Sequence, residues 1–165
     1  MRYKEQFEDF DHVGQQSLVP CQALHTDSGL SIRANSTAGA GLHEAFRGED
    51  GTELVIGENC DVEIAFNQEV EQLHLELYVV SDREGELRDL ADAQGLEGDP
   101  QLAPLSYFYW ITLTGSGYTE FLPGPVFSRP SSHLVLGPFR RLTISTSQAG
   151  TVHIRRLRWT PTCRH

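Results

Sequence analysis

The arginines near the carboxyl terminus have the clearest capacity for ligand chemistry. All 23 acidic residues lie at or before Glu120, whereas 7 of the 13 basic residues follow it. Guanidinium groups bind carboxylates, sulfates and phosphates through paired hydrogen bonds. Because alternate residues of a strand share a face, Arg156 and Arg158 are the pair expected on one exposed surface. This pattern predicts an anionic ligand, with solvated strand edges or pairing to acidic strands of the same molecule as the alternatives.

Aromatic residues are the second chemical signal. Carbohydrates pack their C–H faces on flat rings, while their hydroxyl groups seek polar partners. A strand over residues 107–113 would carry such rings, beside the polar face of a strand over residues 73–79. Besides the two arginines, the predicted ligand-binding residues are Phe108, Trp110, Tyr118, His74, Glu76 and Tyr78. The alternative is that residues 107–113 form a central strand buried on both faces.

No motif for catalysis or for a metal centre accompanies these residues. The 7 histidines form neither an HxH nor an HExxH pattern, and the 3 cysteines lack zinc-site spacing. No GxSxG sequence marks a nucleophile. The sequence therefore favours a binding module without a cofactor. A small polysaccharide lyase-like enzyme is an alternative by fold analogy, because arginine, histidine and tyrosine are all present.

Short strands must position these side chains. From Leu73 to Val79, apolar and polar residues alternate, which is the period of a strand with one buried face. Similar stretches recur along the chain, with glycine and proline between them. We expect an all-β fold, an antiparallel β-sandwich of jelly-roll type, formed by a single domain over residues 1–165. One short helix is expected within residues 81–95, where a long acidic loop is the alternative.

The last strand breaks its own alternation. Val152 and Ile154 share one face of a regular strand, whereas Leu157 and Trp159 share the opposite face. A β-bulge inserts one extra residue and reverses the faces of the residues that follow it. We therefore predict a bulge at residues 155–156, which would direct all four apolar side chains toward the core.

The order of short motifs along the chain is similar to that of a known class of domains. The motifs are Phe7–Phe10, Leu18–Pro20, Gly29–Ile32, Asp82–Gly85 and Ile154–Trp159. In this order they resemble the jelly-roll β-sandwiches of carbohydrate-binding modules and of secreted bacterial proteins with a sorting tail. The resemblance implies a lectin-like or galactose-binding-like architecture with a glycan as the ligand.

The same resemblance implies a structural calcium site near the amino terminus. Glu8 and Asp9 match the acidic residues that open such modules, so they are the candidate metal ligands. Arg155 stands where the closing acidic residue would be, whereas calcium requires about six to eight oxygen ligands. The alternative is an ion pair between Arg155 and Glu8 or Asp9 in the same space.

Bulk properties limit the partners and the compartment. The chain has 165 residues and a net charge of −10, which argues against nucleic acid as a partner. No apolar run predicts a transmembrane segment, and the amino terminus lacks the apolar stretch of a signal peptide. The compartment is left open, with an extracellular location expected if a leader is removed. Opposite charges on the acidic body and the arginine-rich end make a homo-oligomer the alternative to a glycan-binding module.

Overall fold

The computed structural model describes residues 4–35, 39–45, 51–80, 109–113, 118–121, 131–146 and 150–162. These ranges form eleven β-strands and contain no helix that could cross a membrane. The strands are β1 (Gln6–Glu8), β2 (Gln16–Ser17), β3 (Leu24–His25), β4 (Leu30–Ala34), β5 (Ala40–Glu44), β6 (Thr52–Ile56), β7 (Asp61–Val80), β8 (Tyr109–Leu113), β9 (Tyr118–Phe121), β10 (Ser131–Thr146) and β11 (Thr151–Pro161). The helix expected within residues 81–95 and the predicted ligand residue Phe108 lie outside the described residues.

Two long strands, β7 and β10, connect the parts of the fold. They pair with each other, and their register shifts twice between Leu136 and Arg141. The earlier part of β7 also pairs with β4, and its later part pairs with β11. The end of β10 pairs with β8. Because each long strand leaves one set of neighbours and joins another, the sheet curls into two layers.

The first layer contains β2, β5, β6, β11, β1, the later part of β7 and the start of β10. The second layer contains β3, β4, β8, β9, the earlier part of β7 and the end of β10. Every pairing between these strands is antiparallel. The prediction of an all-β, antiparallel β-sandwich is confirmed.

The core lies between the two layers. Leu73, Leu75 and Leu77 of β7 are fully buried, as the alternation of the sequence predicts. Trp159 of β11 meets Phe66 of β7 edge to face, with ring centroids 5.3 Å apart. Buried side chains from both layers belong to one apolar cluster. Burial of each such side chain contributes about 1.5–3 kcal/mol, and this holds the strands in one register.

The irregularity in β11 decides which of its side chains reach the surface. Ile154 pairs with Leu77, and Arg156 pairs with the preceding residue Glu76, so Arg155 is the extra residue. The apolar side chains on both sides of the bulge are all buried: Val152, Ile154, Leu157 and Trp159. The predicted bulge is therefore confirmed. Its consequence is that Arg156 and the alternate residues after it point away from the core.

Candidate functional site

Four neighbouring strands present their outward side chains on one surface of the first layer. These strands lie side by side in the order β1, β11, β7 and β10. We call this surface the arginine face, and its side chains are Phe7, Gln72, His74, Glu76, Leu134, Leu136, Arg156 and Arg158. The arginine face thus brings together four residues predicted for ligand binding. They are His74 and Glu76 of β7, and Arg156 and Arg158 of β11.

Strand register aligns these side chains in rows across the sheet. Phe7 is opposite Arg158, Arg158 is opposite His74, and His74 is opposite Leu134. Neighbouring strands lie about 4.8 Å apart, so this row of four residues spans roughly 14 Å. A row of this length is long enough to contact several linked rings of an extended ligand.

The charged groups of the face remain accessible. Arg156 is exposed opposite Glu76, and its guanidinium carbon lies 5.7 Å from the centroid of the Phe7 ring, which is a cation–π distance. Nη1 of Arg158 lies 3.9 Å from Oε1 of Glu5, and these side chains are 46% and 50% exposed. Exposed ion pairs of this kind contribute about 0–1 kcal/mol. Both arginines are therefore available to an incoming anion.

Apolar side chains stand exposed on the same face. The exposed fraction is 49% for Phe7, 45% for Leu134 and 60% for Leu136. Leu136 is opposite Gln72 of β7, one row beyond Leu134. The face therefore combines apolar and hydrogen-bonding groups, and a sugar ring requires both because its C–H faces are apolar and its hydroxyl groups are polar.

Tyr78, which was also predicted for ligand binding, lies further along β7 where outward side chains are buried. Its hydroxyl group donates to Oε1 of Glu53 at 2.5 Å, and Nδ1 of His153 lies 2.8 Å from the same oxygen. The rings of Tyr78 and His153 stack with centroids 4.8 Å apart. These two residues are only 5% and 7% exposed, so little of either side chain is accessible, and the ligand-binding role of Tyr78 stays a prediction. We interpret this cluster as a structural support beside the arginine face.

Two of the predicted aromatic residues, Trp110 and Tyr118, belong to strands of the second layer. Trp110 of β8 pairs with Ser145 of β10, whereas His74 pairs with Leu134 of the same strand. Those two β10 positions are eleven residues apart, about 36 Å along an extended strand. Tyr118 belongs to β9, the strand beyond β8. The structure does not place these aromatic residues beside the arginine face, and their role in binding stays a prediction.

The acidic residues implied as calcium ligands lie at the end of β1, where Glu8 and Asp9 come close to His12. Glu8 is buried, its Oε1 accepts a hydrogen bond from the Phe10 N–H at 2.7 Å, and its Oε2 accepts one from the Ser28 hydroxyl group. Calcium takes about six to eight oxygen ligands. This group offers a histidine nitrogen and two carboxylates, and both oxygens of Glu8 and one oxygen of Asp9 already accept hydrogen bonds. The described side chains thus supply fewer free oxygens than calcium requires, and the role of Glu8 and Asp9 as calcium ligands stays a prediction.

His133 is a titratable residue directly beneath the arginine face. It pairs with Leu75 of β7 and precedes the outward-facing Leu134. Desolvation by burial lowers the pKa of His133 from its ordinary value of 6.5. The neutral imidazole is therefore the favoured form in the folded protein, and acid opposes folding at this position.

The second layer has a shallow depression beside the β3–β4 hairpin. Its volume is about 300 Å³, and its lining includes His25, Ser31, Ala65 and Asn67. Among the described residues, its lining contains none that the sequence predicts for ligand binding. The arginine face, in contrast, carries four of the predicted residues, and their role in ligand binding stays a prediction.

Comparison with protein-family models and with curated proteins finds no match. Among solved structures, the chain is similar to the K2 cleaved adhesin domain of Lys-gingipain, with 12% identity, a TM-score of 0.48 and coverage of 95% of this chain and 99% of that one. It is also similar to the xylan-binding module CBM15, with 12% identity, a TM-score of 0.40 and coverage of 87% and 97%.

A third similar structure contains the M60 catalytic domain with the CBM51-1 and CBM51-2 domains of ZmpB from Clostridium perfringens. The identity is 9%, the TM-score is 0.38, and the match covers 90% of this chain and 15% of that one. Carbohydrate-binding modules, the class that the sequence motifs resemble, thus occur among the similar structures. Similarities of this size do not transfer a ligand to this chain.

Proposed function

We propose that this protein is a non-catalytic module that binds a glycan through the arginine face. The observation that carries the proposal is the row Phe7, Arg158, His74 and Leu134, which spans four adjacent strands. Sugar C–H groups pack against the ring and the leucine, while sugar hydroxyl groups bond to the guanidinium and imidazole groups. Because paired strands fix the backbone of these residues, binding orders their side chains only, and less conformational entropy is lost than in a flexible loop.

The two arginines favour an acidic glycan over a neutral one. A guanidinium group binds a carboxylate or sulfate through two parallel hydrogen bonds. Hydrogen bonds to charged groups contribute about 1.5–3 kcal/mol each. The exposed Glu5 near Arg158 and the partly buried Glu76 opposite Arg156 are weaker competitors, because water reaches and screens both pairs.

The test is a glycan array followed by titration calorimetry with the best ligand. Arg158→Gln removes one charge from the row, and we expect about a tenfold loss of affinity, the equivalent of about 1.4 kcal/mol. Arg141→Gln is the charge-matched control, because Arg141 is exposed opposite Ala65 in the second layer. Silence of the wild-type protein across neutral and acidic glycans would contradict the proposal. Equal losses in the two variants would contradict the assignment to the arginine face.

The aromatic residues of the second layer are tested separately. In the same array, Trp110→Ala should leave binding unchanged if the arginine face is the whole site. A selective loss in Trp110→Ala, with Arg158→Gln unaffected, would place the glycan site on β8 instead.

A second candidate function is assembly with further copies of this chain. The exposed Leu134 and Leu136 beside two arginines favour it, because arginine and apolar side chains are common in protein interfaces. Light scattering tests this candidate, because an oligomer held by opposite charges dissociates as the Debye length falls from about 10 Å at 0.1 M salt to about 3 Å at 1 M. A monomer at both salt concentrations would eliminate it.

A further inference from the structure

Resting on the proposed function, we infer that the ligand of the arginine face is a glycan in which an acidic sugar alternates with an N-acylated amino sugar. The observation behind this inference is that one flat surface has a cationic side and an apolar side. Arg156 and Arg158 of β11 form the cationic side, and Leu134 and Leu136 of β10 form the apolar side.

The cationic side keeps its guanidinium groups accessible, because the ion pair of Arg158 with Glu5 is itself about half exposed. Arg156 lies over the Phe7 ring at 5.7 Å, and this contact orients the guanidinium group while leaving its charge intact. Two residues further along β11, Arg158 points to the same face and is half exposed. A sugar carboxylate that meets these groups gains charge-assisted hydrogen bonds that a neutral sugar lacks.

The apolar side selects against a sugar that presents only hydroxyl groups. Leu134 and Leu136 are 45% and 60% exposed and offer no hydrogen bond. A hydroxyl group pressed against them loses its hydrogen bonds to water without replacement. The methyl group of an N-acetyl substituent instead gains from burying apolar area. His74 and Gln72, opposite the two leucines, are polar partners for the amide of that substituent.

The spacing of the two sides matches a repeating unit. β11 and β10 flank β7 on opposite edges. Two strand spacings separate them by about 10 Å, which is comparable with the length of a disaccharide. Because one sugar of that disaccharide covers about one strand spacing, a chain laid across the strands places its acidic sugar at the arginines and its amino sugar over His74 and Gln72 of β7. The acetyl group of the amino sugar then contacts the leucines of the next strand.

The experiment titrates the full chain with four oligosaccharides of equal length. Hyaluronan oligosaccharide carries both a carboxylate and an N-acetyl group, oligogalacturonate carries only the carboxylate, chitin oligosaccharide carries only the N-acetyl group, and cello-oligosaccharide carries neither. We expect hyaluronan to bind best. Affinity should fall about tenfold without the carboxylate and about fivefold without the acetyl group.

Two double variants separate the two sides. Arg156→Gln with Arg158→Gln should reduce hyaluronan affinity to that of chitin oligosaccharide for the wild type. Leu134→Thr with Leu136→Thr should reduce it to that of oligogalacturonate. Threonine retains the strand propensity of these exposed positions, and a thermal unfolding curve verifies that each variant is folded. Arg141→Gln is again the charge-matched control.

The outcomes distinguish this inference from the proposed function. The alternating class is overturned if oligogalacturonate and hyaluronan bind equally well. It is also overturned if the leucine double variant keeps the preference for hyaluronan over oligogalacturonate. Glycan binding by the arginine face stands in both cases. Failure of all four oligosaccharides to bind overturns the alternating class, and silence across the whole glycan array would then contradict the proposed function as well. Binding that neither double variant weakens places the site elsewhere and overturns both.

Discussion

Deletion of Arg155 removes the extra residue of the β11 bulge, and we expect it to prevent stable folding. In a regular strand, neighbouring residues face opposite sides of the sheet, so removal of one residue reverses every side chain that follows. Leu157 and Trp159 would then point to water. Arg156 and Arg158 would point to the core.

The magnitude follows from the burial of these residues. Leu157 is 0% exposed and Trp159 is 1% exposed, and exposing two such side chains costs about 1.5–3 kcal/mol each. Burying a guanidinium group without a matched partner costs several kcal/mol more for each arginine. The total is on the order of 10 kcal/mol, which is comparable with the whole stability of a typical protein, about 5–15 kcal/mol.

The assay is urea unfolding followed by circular dichroism and tryptophan fluorescence. Arg155→Ala is the matched control, because it removes the same side chain and retains the residue count of the strand. We expect the deletion variant to lack a cooperative transition, and the alanine variant to lose about 1–2 kcal/mol at most. A deletion variant that unfolds cooperatively near the wild-type midpoint would refute the register argument.

Three further predictions concern the interior. Glu53→Gln should lower the free energy of unfolding by about 2 kcal/mol in urea titrations, because the buried carboxylate accepts two hydrogen bonds. The control is Glu58→Gln, which changes an exposed residue and should alter stability little. Equal effects of the two substitutions would contradict the role of the buried cluster. Burial lowers the pKa of His133 from 6.5, so the unfolded chain binds a proton that the folded protein excludes, and stability should fall as the pH drops below about 6.5. His133→Asn should reduce this slope in unfolding curves between about pH 7 and 5, and an unchanged slope would rule out His133 as its source. Gly137→Ala would place a Cβ atom 2.0 Å from the carbonyl oxygen of Val70. We therefore expect the free energy of unfolding to fall by about 2 kcal/mol or more, measured by thermal unfolding. An unchanged unfolding midpoint would show that β10 accommodates the methyl group without cost.

The strands and the bulge are predictable from the sequence because both depend on neighbours along the chain. The alternation from Leu73 to Val79 follows from the geometry of a strand, in which successive side chains point to opposite faces. The odd step between Ile154 and Leu157 reveals the bulge by the same rule, because four apolar side chains must reach one core. No knowledge of the partner strands is required for either prediction.

The candidate site was predicted only in part. The sequence predicts that His74 and Glu76 share one face of their strand, and that Arg156 and Arg158 share one face of theirs. That the two pairs lie side by side depends on the register between β7 and β11, which the sequence does not show. Phe7 is not among the residues predicted from the sequence, because a strand of three residues shows too little alternation to identify its exposed face. The one sequence signal for an exposed Phe7 is that its neighbour Glu8 faces the other way. Glu8 is buried through a hydrogen bond from Ser28, which lies 20 residues further along the chain.

The sequence by itself determined which residues alternate, where alternation breaks, and that the arginines follow the acidic part of the chain. Only the tertiary structure decided that Glu53, Tyr78 and His153 share one buried cluster. Glu53 is 25 residues from Tyr78 and 100 residues from His153 along the chain. The physical reason is that alternation is a local steric property of the backbone. Strand pairing is selected by the burial of the whole core, which no single segment specifies.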